Sequence, residues 1–146
     1  MDRKQELVEA EEASWDEFHG LLNRLTPEQM DEPTLNPDGW SVKDLIWHMG
    51  CWAAEGASAL ERIRMGTYAE EDWDTDAKNA TFLEEGRRMD LDTVRSEWSA
   101  ARNRCLQEWN ALVEITPDAE EWFYEEGPEH AADHLPELRR FVEGVG

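Results

Sequence analysis

Residues 41–66, SVKDLIWHMGCWAAEGASALERIRMG, decide the fold. Ser41 is a favourable N-cap, and Asp44 stands where its side chain can return a hydrogen bond, so the pair predicts a capping box at a helix start. Gly66 follows two nearby arginines and is a suitable stop. Between these ends, apolar residues recur at helical spacing and predict one buried face. They are Val42, Leu45, Ile46, Met49, Trp52, Ala53, Leu60 and Ile63.

Three other segments have the same periodicity and predict three more helices. With the segment above as the second helix, they are the first at residues 7–25, the third at residues 90–113 and the fourth at residues 127–142. Gly127 and Pro128 are interpreted as the N-cap and first turn of the fourth helix. Together the four helices indicate an all-α fold, an up-down four-helix bundle.

The connection between the second and third helices, residues 67–89, is too long for a structureless loop in a compact domain. It predicts a long crossover with a short helix in its middle. Residues 120–126 hold three consecutive aromatic side chains and remain unassigned.

The four histidines suggest a metal site. His130 and His134, in the stretch EHAADHLPELRRF at residues 129–141, leave the same face of a helix one turn apart. His48 is in phase with the apolar stripe of the second helix and points inward, whereas His19 is expected at the edge of its own stripe. If helices two and four start near each other, three imidazoles can converge on zinc, nickel, iron or copper, rather than on magnesium or calcium. The alternative is a hydrogen-bonded core histidine and two surface histidines.

The composition limits the possible partners. A net charge of -21 repels phosphate backbones and anionic membrane surfaces, so we expect no nucleic-acid or membrane partner. The same charge attracts cations, although it can also serve solubility alone. With 40% hydrophobic residues in 146, we expect one folded domain over residues 1–146.

No signal peptide and no apolar run of the ~18 residues that a membrane span needs is visible, so we expect a cytoplasmic protein. Cys51 and Cys105 lie in helical patterns, which favours reduced thiols over a disulfide framework.

Three motifs resemble the DinB-like superfamily of damage-inducible four-helix-bundle proteins, in order and spacing over most of the chain. They are WSVKDLIWH at residues 40–48, the region of Asp76 and Asn79 after the second helix, and His130-x-x-x-His134-Leu135-Pro136.

This resemblance implies that His48, His130 and His134 form a metal triad for zinc or nickel. Relatives include transferases that use mycothiol or bacillithiol, a maleylpyruvate isomerase, and proteins that protect against cyclopropane-bearing toxins. The isomerase type has a glutamate among its ligands where this chain has His130, so its activity is not carried over.

The leading hypothesis is a metal-dependent enzyme, an S-transferase or hydrolase, that activates water or a low-molecular-weight thiol against a small electrophile. We expect the neighbours of His48 to form its pocket, or else to be core and surface residues; they are Trp47, Cys51, Trp52 and Glu55. The alternatives are a non-catalytic bundle that binds a small molecule or toxin, and a homodimeric interaction protein.

Overall fold

The computed structural model of the chain describes residues 2–145, which form seven α-helices and one π-helical turn, with no β-strand among them. The helices are α1 (Arg3–Leu22), α2 (Pro27–Met30), α3 (Val42–Met65), α4 (Thr75–Arg87), α5 (Leu91–Ala111), α6 (Pro117–Tyr124) and α7 (His130–Val145). A π-helical turn of five residues, Glu125–Glu129, joins α6 to α7. The prediction of an all-α fold is confirmed.

Helix α3 begins with the predicted capping box. The Ser41 hydroxyl accepts a hydrogen bond from the Asp44 N–H at 3.0 Å, and the Asp44 carboxylate accepts one from the Ser41 N–H at 2.9 Å. Gly66 ends the helix with a φ of 77°, a left-handed conformation that glycine adopts without steric strain. Helix α3 then contacts α4, α5, α6 and α7, so it occupies the centre of the bundle.

Two clusters of buried apolar side chains show how the long helices run. One cluster joins the C-terminal half of α1 to the N-terminal halves of α3 and α5 and to α7. The other joins the N-terminal half of α1 to the C-terminal halves of α3 and α5 and to α6. Helices α3 and α5 are therefore parallel, and α1 and the α6–α7 rod run the opposite way. The predicted four-helix bundle with its long crossover is confirmed, because only a long connection can return the chain to the end where α3 began.

The crossover contains a helix, α4, as predicted, and two contacts hold it on α3. Gly86 of α4 lies so close to Trp47 that a Cβ atom there would be 2.6 Å from the indole Cδ1. Seven residues earlier, the side chain of Asn79 accepts a hydrogen bond from the Trp52 indole N–H at 2.7 Å. The crossover therefore packs along the face of α3 that carries the tryptophans.

The fourth helix begins earlier than predicted. Thr116 caps it and Pro117 occupies its first turn, so the unassigned residues 120–126 are helical. Gly127 and Pro128 are not its N-cap and first turn, because both lie inside the π-helical turn of a continuous rod. A proline cannot donate the α-helical hydrogen bond to the carbonyl four residues earlier, and here the helix widens at that point instead of ending.

Within residues 2–145, no helix combines the length and apolarity needed to cross a membrane.

The close contact at Gly86 predicts that alanine lowers the stability of the protein at this position but not at a glycine with open space around it. Gly86→Ala places a methyl group against the indole of Trp47 and is expected to lower the free energy of unfolding by about 1–3 kcal/mol through overpacking. Gly20→Ala is the matched control, because Gly20 lies in α1 with open space around its Cβ position. That control is expected to raise stability by about 0.5–1 kcal/mol. Urea denaturation followed by circular dichroism measures both, and equal effects would show that α4 does not pack tightly at Gly86.

Candidate metal centre and adjoining cavity

Three imidazoles from two helices meet in the bundle. His48 lies in the second turn of α3, and His130 and His134 lie in the first two turns of α7. The Nε2 atoms of His48 and His130 are 3.0 Å apart, and one ring nitrogen from each of the three histidines lies within 4.8 Å of the other two. The structure therefore brings together the three histidines that the sequence singled out as ligand candidates.

Burial keeps two of these imidazoles neutral. Removal from water lowers the pKa of His48 to about 4, with a smaller contribution from the charge of His134. The same loss of hydration is the main reason why the pKa of His130 falls to about 3. At neutral pH both rings therefore offer lone pairs and carry no positive charge that would repel a cation.

His134 has a carboxylate partner that the sequence analysis did not single out. Its Nδ1 lies 2.9 Å from Glu137 Oε1, so Nδ1–H donates to the carboxylate and Nε2 is left as the acceptor. Histidines that bind metals are commonly oriented by such a carboxylate. His134 and Glu137 are three residues apart on one helix, and this spacing could have indicated the pair from the sequence.

The donor set fits a transition metal. Zinc–nitrogen bonds are about 2.0–2.1 Å long, so two nitrogens on one ion lie between about 2.9 and 3.4 Å apart, depending on the angle. The separation of 3.0 Å between His48 and His130 falls within this range. The same distance also suits a hydrogen bond between the two Nε2 atoms, whereas the Nδ1 atoms of both rings are buried without a hydrogen-bond partner among residues 2–145. Three imidazole donors suit zinc or nickel and not magnesium or calcium.

A cavity of about 410 Å³ adjoins two of the imidazoles, His48 and His130. Four aromatic side chains line it, and six carboxyl side chains and one guanidinium stand among them. The aromatic residues are Trp52, Tyr68, Trp73 and Trp122, and the charged residues are Arg62, Glu70, Glu71, Asp118, Glu121, Glu125 and Glu126.

Of the four pocket residues expected from the sequence, Trp52 lines this cavity and the other three lie elsewhere. Trp47 packs against Gly86, and Glu55 pairs with a lysine of α4 at 3.1 Å. Cys51 is half-buried, and burial raises the pKa of its thiol to about 12, so it is no thiolate nucleophile at neutral pH.

The two remaining residues of interest lie away from the triad. His19 stacks on Trp98 with ring centroids 5.1 Å apart, and its Nδ1 lies 3.1 Å from the Trp15 carbonyl oxygen, so it is the edge residue expected. Cys105 is a reduced thiol that donates to the Ala53 carbonyl oxygen at 2.9 Å.

Glu126, which the sequence analysis missed, is the most perturbed acid of the site. It lies in the π-helical turn, four residues before His130, and its Oε2 atom is buried without a hydrogen-bond partner. Burial is the main cause that raises the pKa of Glu126 to about 8, and the charges of Glu125, Glu129 and Glu55 add to it. At neutral pH this carboxyl therefore holds a proton. Nothing in the sequence pattern marked it, because its burial depends on the π-helical turn.

Comparison with known proteins identifies the family. The model of the mycothiol maleylpyruvate isomerase N-terminal domain matches residues 12–143, a span that includes all three histidines. No curated protein and no solved structure gives a significant match to the chain. The family is DinB-like and helical, as the sequence motifs indicated, and it is often metal-binding. The chain belongs to the mycothiol maleylpyruvate isomerase N-terminal domain family.

Proposed function

We propose that His48, His130 and His134 hold one divalent zinc or nickel ion, and that the protein is an enzyme whose reaction takes place where the triad meets the cavity. The observation that carries this proposal is the convergence of three ring nitrogens within 4.8 Å. The low pKa values of His48 and His130 and the carboxylate partner of His134 support it, because all three favour lone pairs ready for a metal.

Three protein ligands leave a coordination position open to a reactant, where a bound ion would acidify water or a low-molecular-weight thiol toward neutrality. The residues of the chain supply the rest of the site. Glu137 fixes the tautomer of His134, and Trp52 and Trp122 line the cavity with apolar surface. We therefore propose attack by water or a thiol on a small electrophile, as in a hydrolase or an S-transferase.

Glu126 is our candidate for the proton-carrying group of this reaction. Its pKa of about 8, raised by burial, lies close to neutral pH, where a general acid or base transfers protons best. It lines the same cavity as His48 and His130, so a molecule bound there can reach it. Its proposed role is to donate a proton to the leaving or developing anionic atom.

The second candidate function is non-catalytic binding of a small molecule or toxin. The four aromatic side chains of the cavity favour it, since they suit a largely apolar ligand whether or not chemistry follows. Both candidates predict binding, but only the first predicts turnover that needs the triad.

The metal hypothesis predicts one equivalent of tightly bound zinc or nickel. In equilibrium dialysis of protein without an affinity tag, His130→Ala should weaken binding at least about 100-fold, because a direct ligand should matter at least as much as an outer-shell partner. His19→Ala is the matched control, since it removes a histidine that stacks on Trp98 instead. A metal concentration about 100 times the Kd should stabilise the wild type by about 2.7 kcal/mol. Equal binding by the two variants, or none by the wild type, contradicts the hypothesis.

The catalytic hypothesis predicts turnover with an activated nucleophile. Zinc- or nickel-loaded protein, incubated with a panel of thiols and small electrophiles, should accelerate substitution or hydrolysis. The rate should fall by at least about 100-fold in Glu126→Gln if Glu126 supplies general acid catalysis, whose usual contribution is about 10²–10⁴-fold. The metal content of this variant, measured in parallel, should not change. Ligand binding without turnover, in protein of full metal content, would favour the non-catalytic alternative.

The buried carboxyl also predicts a pH-dependent stability. The pKa of Glu126 is raised from 4.5 to about 8 in the folded state by burial, so between these values only the unfolded chain releases the proton. This contribution to stability is complete below pH 4.5 and is lost as the pH rises through about 8. Metal-free Glu126→Gln should therefore be more stable than the metal-free wild type at pH 8, by about 1–3 kcal/mol, and equally stable near pH 4. Urea titrations at several pH values measure the difference, with the exposed Glu143→Gln as control.

A further inference from the structure

The charge of the cavity lining is strongly unbalanced. Its one guanidinium, Arg62, is 2.8 Å from Glu71 and is therefore already paired. Three carboxylates along one side of the α6–π-turn segment, Asp118, Glu121 and Glu125, have no ion-pair partner within residues 2–145. These three charges come from successive turns of one continuous helical segment and face the same cavity.

Aromatic side chains also line the cavity. Trp73, from the crossover, stands edge-on to Trp122 with ring centroids 6.1 Å apart and edge-on to Trp52 at 6.0 Å. The indole N–H of Trp122 donates to the Tyr68 hydroxyl at 3.0 Å, which fixes that ring. Aromatic faces attract cations through their quadrupole, and this attraction is strongest for indole.

The protein already places one ammonium group on this aromatic wall. Lys78 Nζ lies 3.8 Å from the centroid of the Trp73 ring and 3.1 Å from a carboxylate oxygen of Glu55. An indole face with a carboxylate beside it is therefore an environment in which this fold holds a cation. The cavity offers a second indole, Trp122, and the three unpaired carboxylates, and its one cationic side chain, Arg62, is paired with Glu71.

We propose that the cavity binds an organic cation, an amine or quaternary ammonium compound with an apolar or aromatic body. Its charge lies near Asp118, Glu121 and Glu125, and its body lies against Trp73 and Trp122. That this cation is the substrate of an enzyme rests on the proposed function above. Binding of the cation depends only on residues outside the triad. The same carboxylates repel carboxylate and phosphate compounds, so the charge selects the ligand class.

Three probes of similar size test the charge selection. Benzyltrimethylammonium, benzyl alcohol and phenylacetate share an aromatic body and carry a positive, zero and negative charge. Isothermal titration calorimetry, supported by tryptophan fluorescence, should show at least a tenfold tighter Kd for the ammonium probe than for the alcohol. Phenylacetate should bind more weakly than the alcohol. Higher salt should reduce the preference for the cation, because salt screens exposed charges. Equal affinity for the three probes overturns the proposal.

Two variants assign the effect to the cavity. The double substitution Glu121→Gln and Glu125→Gln should weaken binding of the ammonium probe at least fivefold and leave benzyl alcohol unchanged. Glu114→Gln with Glu143→Gln, two exposed carboxylates outside the cavity lining, is the matched control and should change neither. If the control weakens the ammonium probe as much as the cavity pair does, general surface charge explains the binding and the proposal fails.

The same measurements separate this proposal from the metal hypothesis. His130→Ala, which should lose the metal, should keep the preference for the ammonium probe, since the carboxylates and indoles remain. If the protein binds zinc but shows no preference for the ammonium probe, the proposal of an organic cation is wrong and the metal hypothesis stands. A cation preference without metal binding supports the ligand class and contradicts only the metal site.

Discussion

The position of the candidate metal site depends on the helical phase of the α6–α7 rod. Residues 117–145 form a continuous helix that must bury Phe123 in one apolar cluster, Leu138 in another, and turn His130 toward α3 between them. An α-helix advances about 100° per residue, and a π-helical turn holds one residue more than an α-helical turn. The π-helical turn at Glu125–Glu129 therefore changes the phase of all that follows by about one residue. The histidine face of α7 and the buried stripe of α6 are set relative to each other by this single insertion.

Burial then makes three side chains of the site electrically neutral, two histidines and one glutamate. The protein carries a net charge of -21, and a negative environment would by itself raise the pKa of a histidine. For His48 and His130 the loss of hydration outweighs it, and the pKa values fall to about 4 and 3. The same loss of hydration raises the pKa of Glu126 to about 8. The interior therefore holds neutral bases and a neutral acid close together, although the surface is strongly anionic.

Local signals in the sequence were sufficient for the capped start of α3 and for the three histidines that converge. The capping box of Ser41 and Asp44 forms within one helical turn, and His130 and His134 are related by the geometry of one helix, so both patterns are visible without tertiary information. Gly127 and Pro128 misled the prediction, since glycine is tolerated as an N-cap and proline is favoured in the first turn of a helix, whereas here both lie within a π-helical turn whose flanking helices pack against α1 and α3. The burial of Glu126 and the place of Trp73 beside the cavity depend on contacts between distant segments, which periodicity along one segment does not reveal.

The topology separates the two parts of the site. Because α3 and α5 are parallel, the chain needs a long connection between them, and that connection must lie along the outside of the bundle. It supplies Tyr68, Glu71 and Trp73 to the cavity, whereas the triad comes only from α3 and α7. The helices of the triad are fixed by the two apolar clusters, so the position of the imidazoles depends on the core. The crossover side chains lie on the surface of that core and can differ in charge and size without moving the histidines. The crossover side of the cavity is therefore independent of the triad, whereas the carboxylates of α6 and the π-helical turn share one rod with His130 and His134.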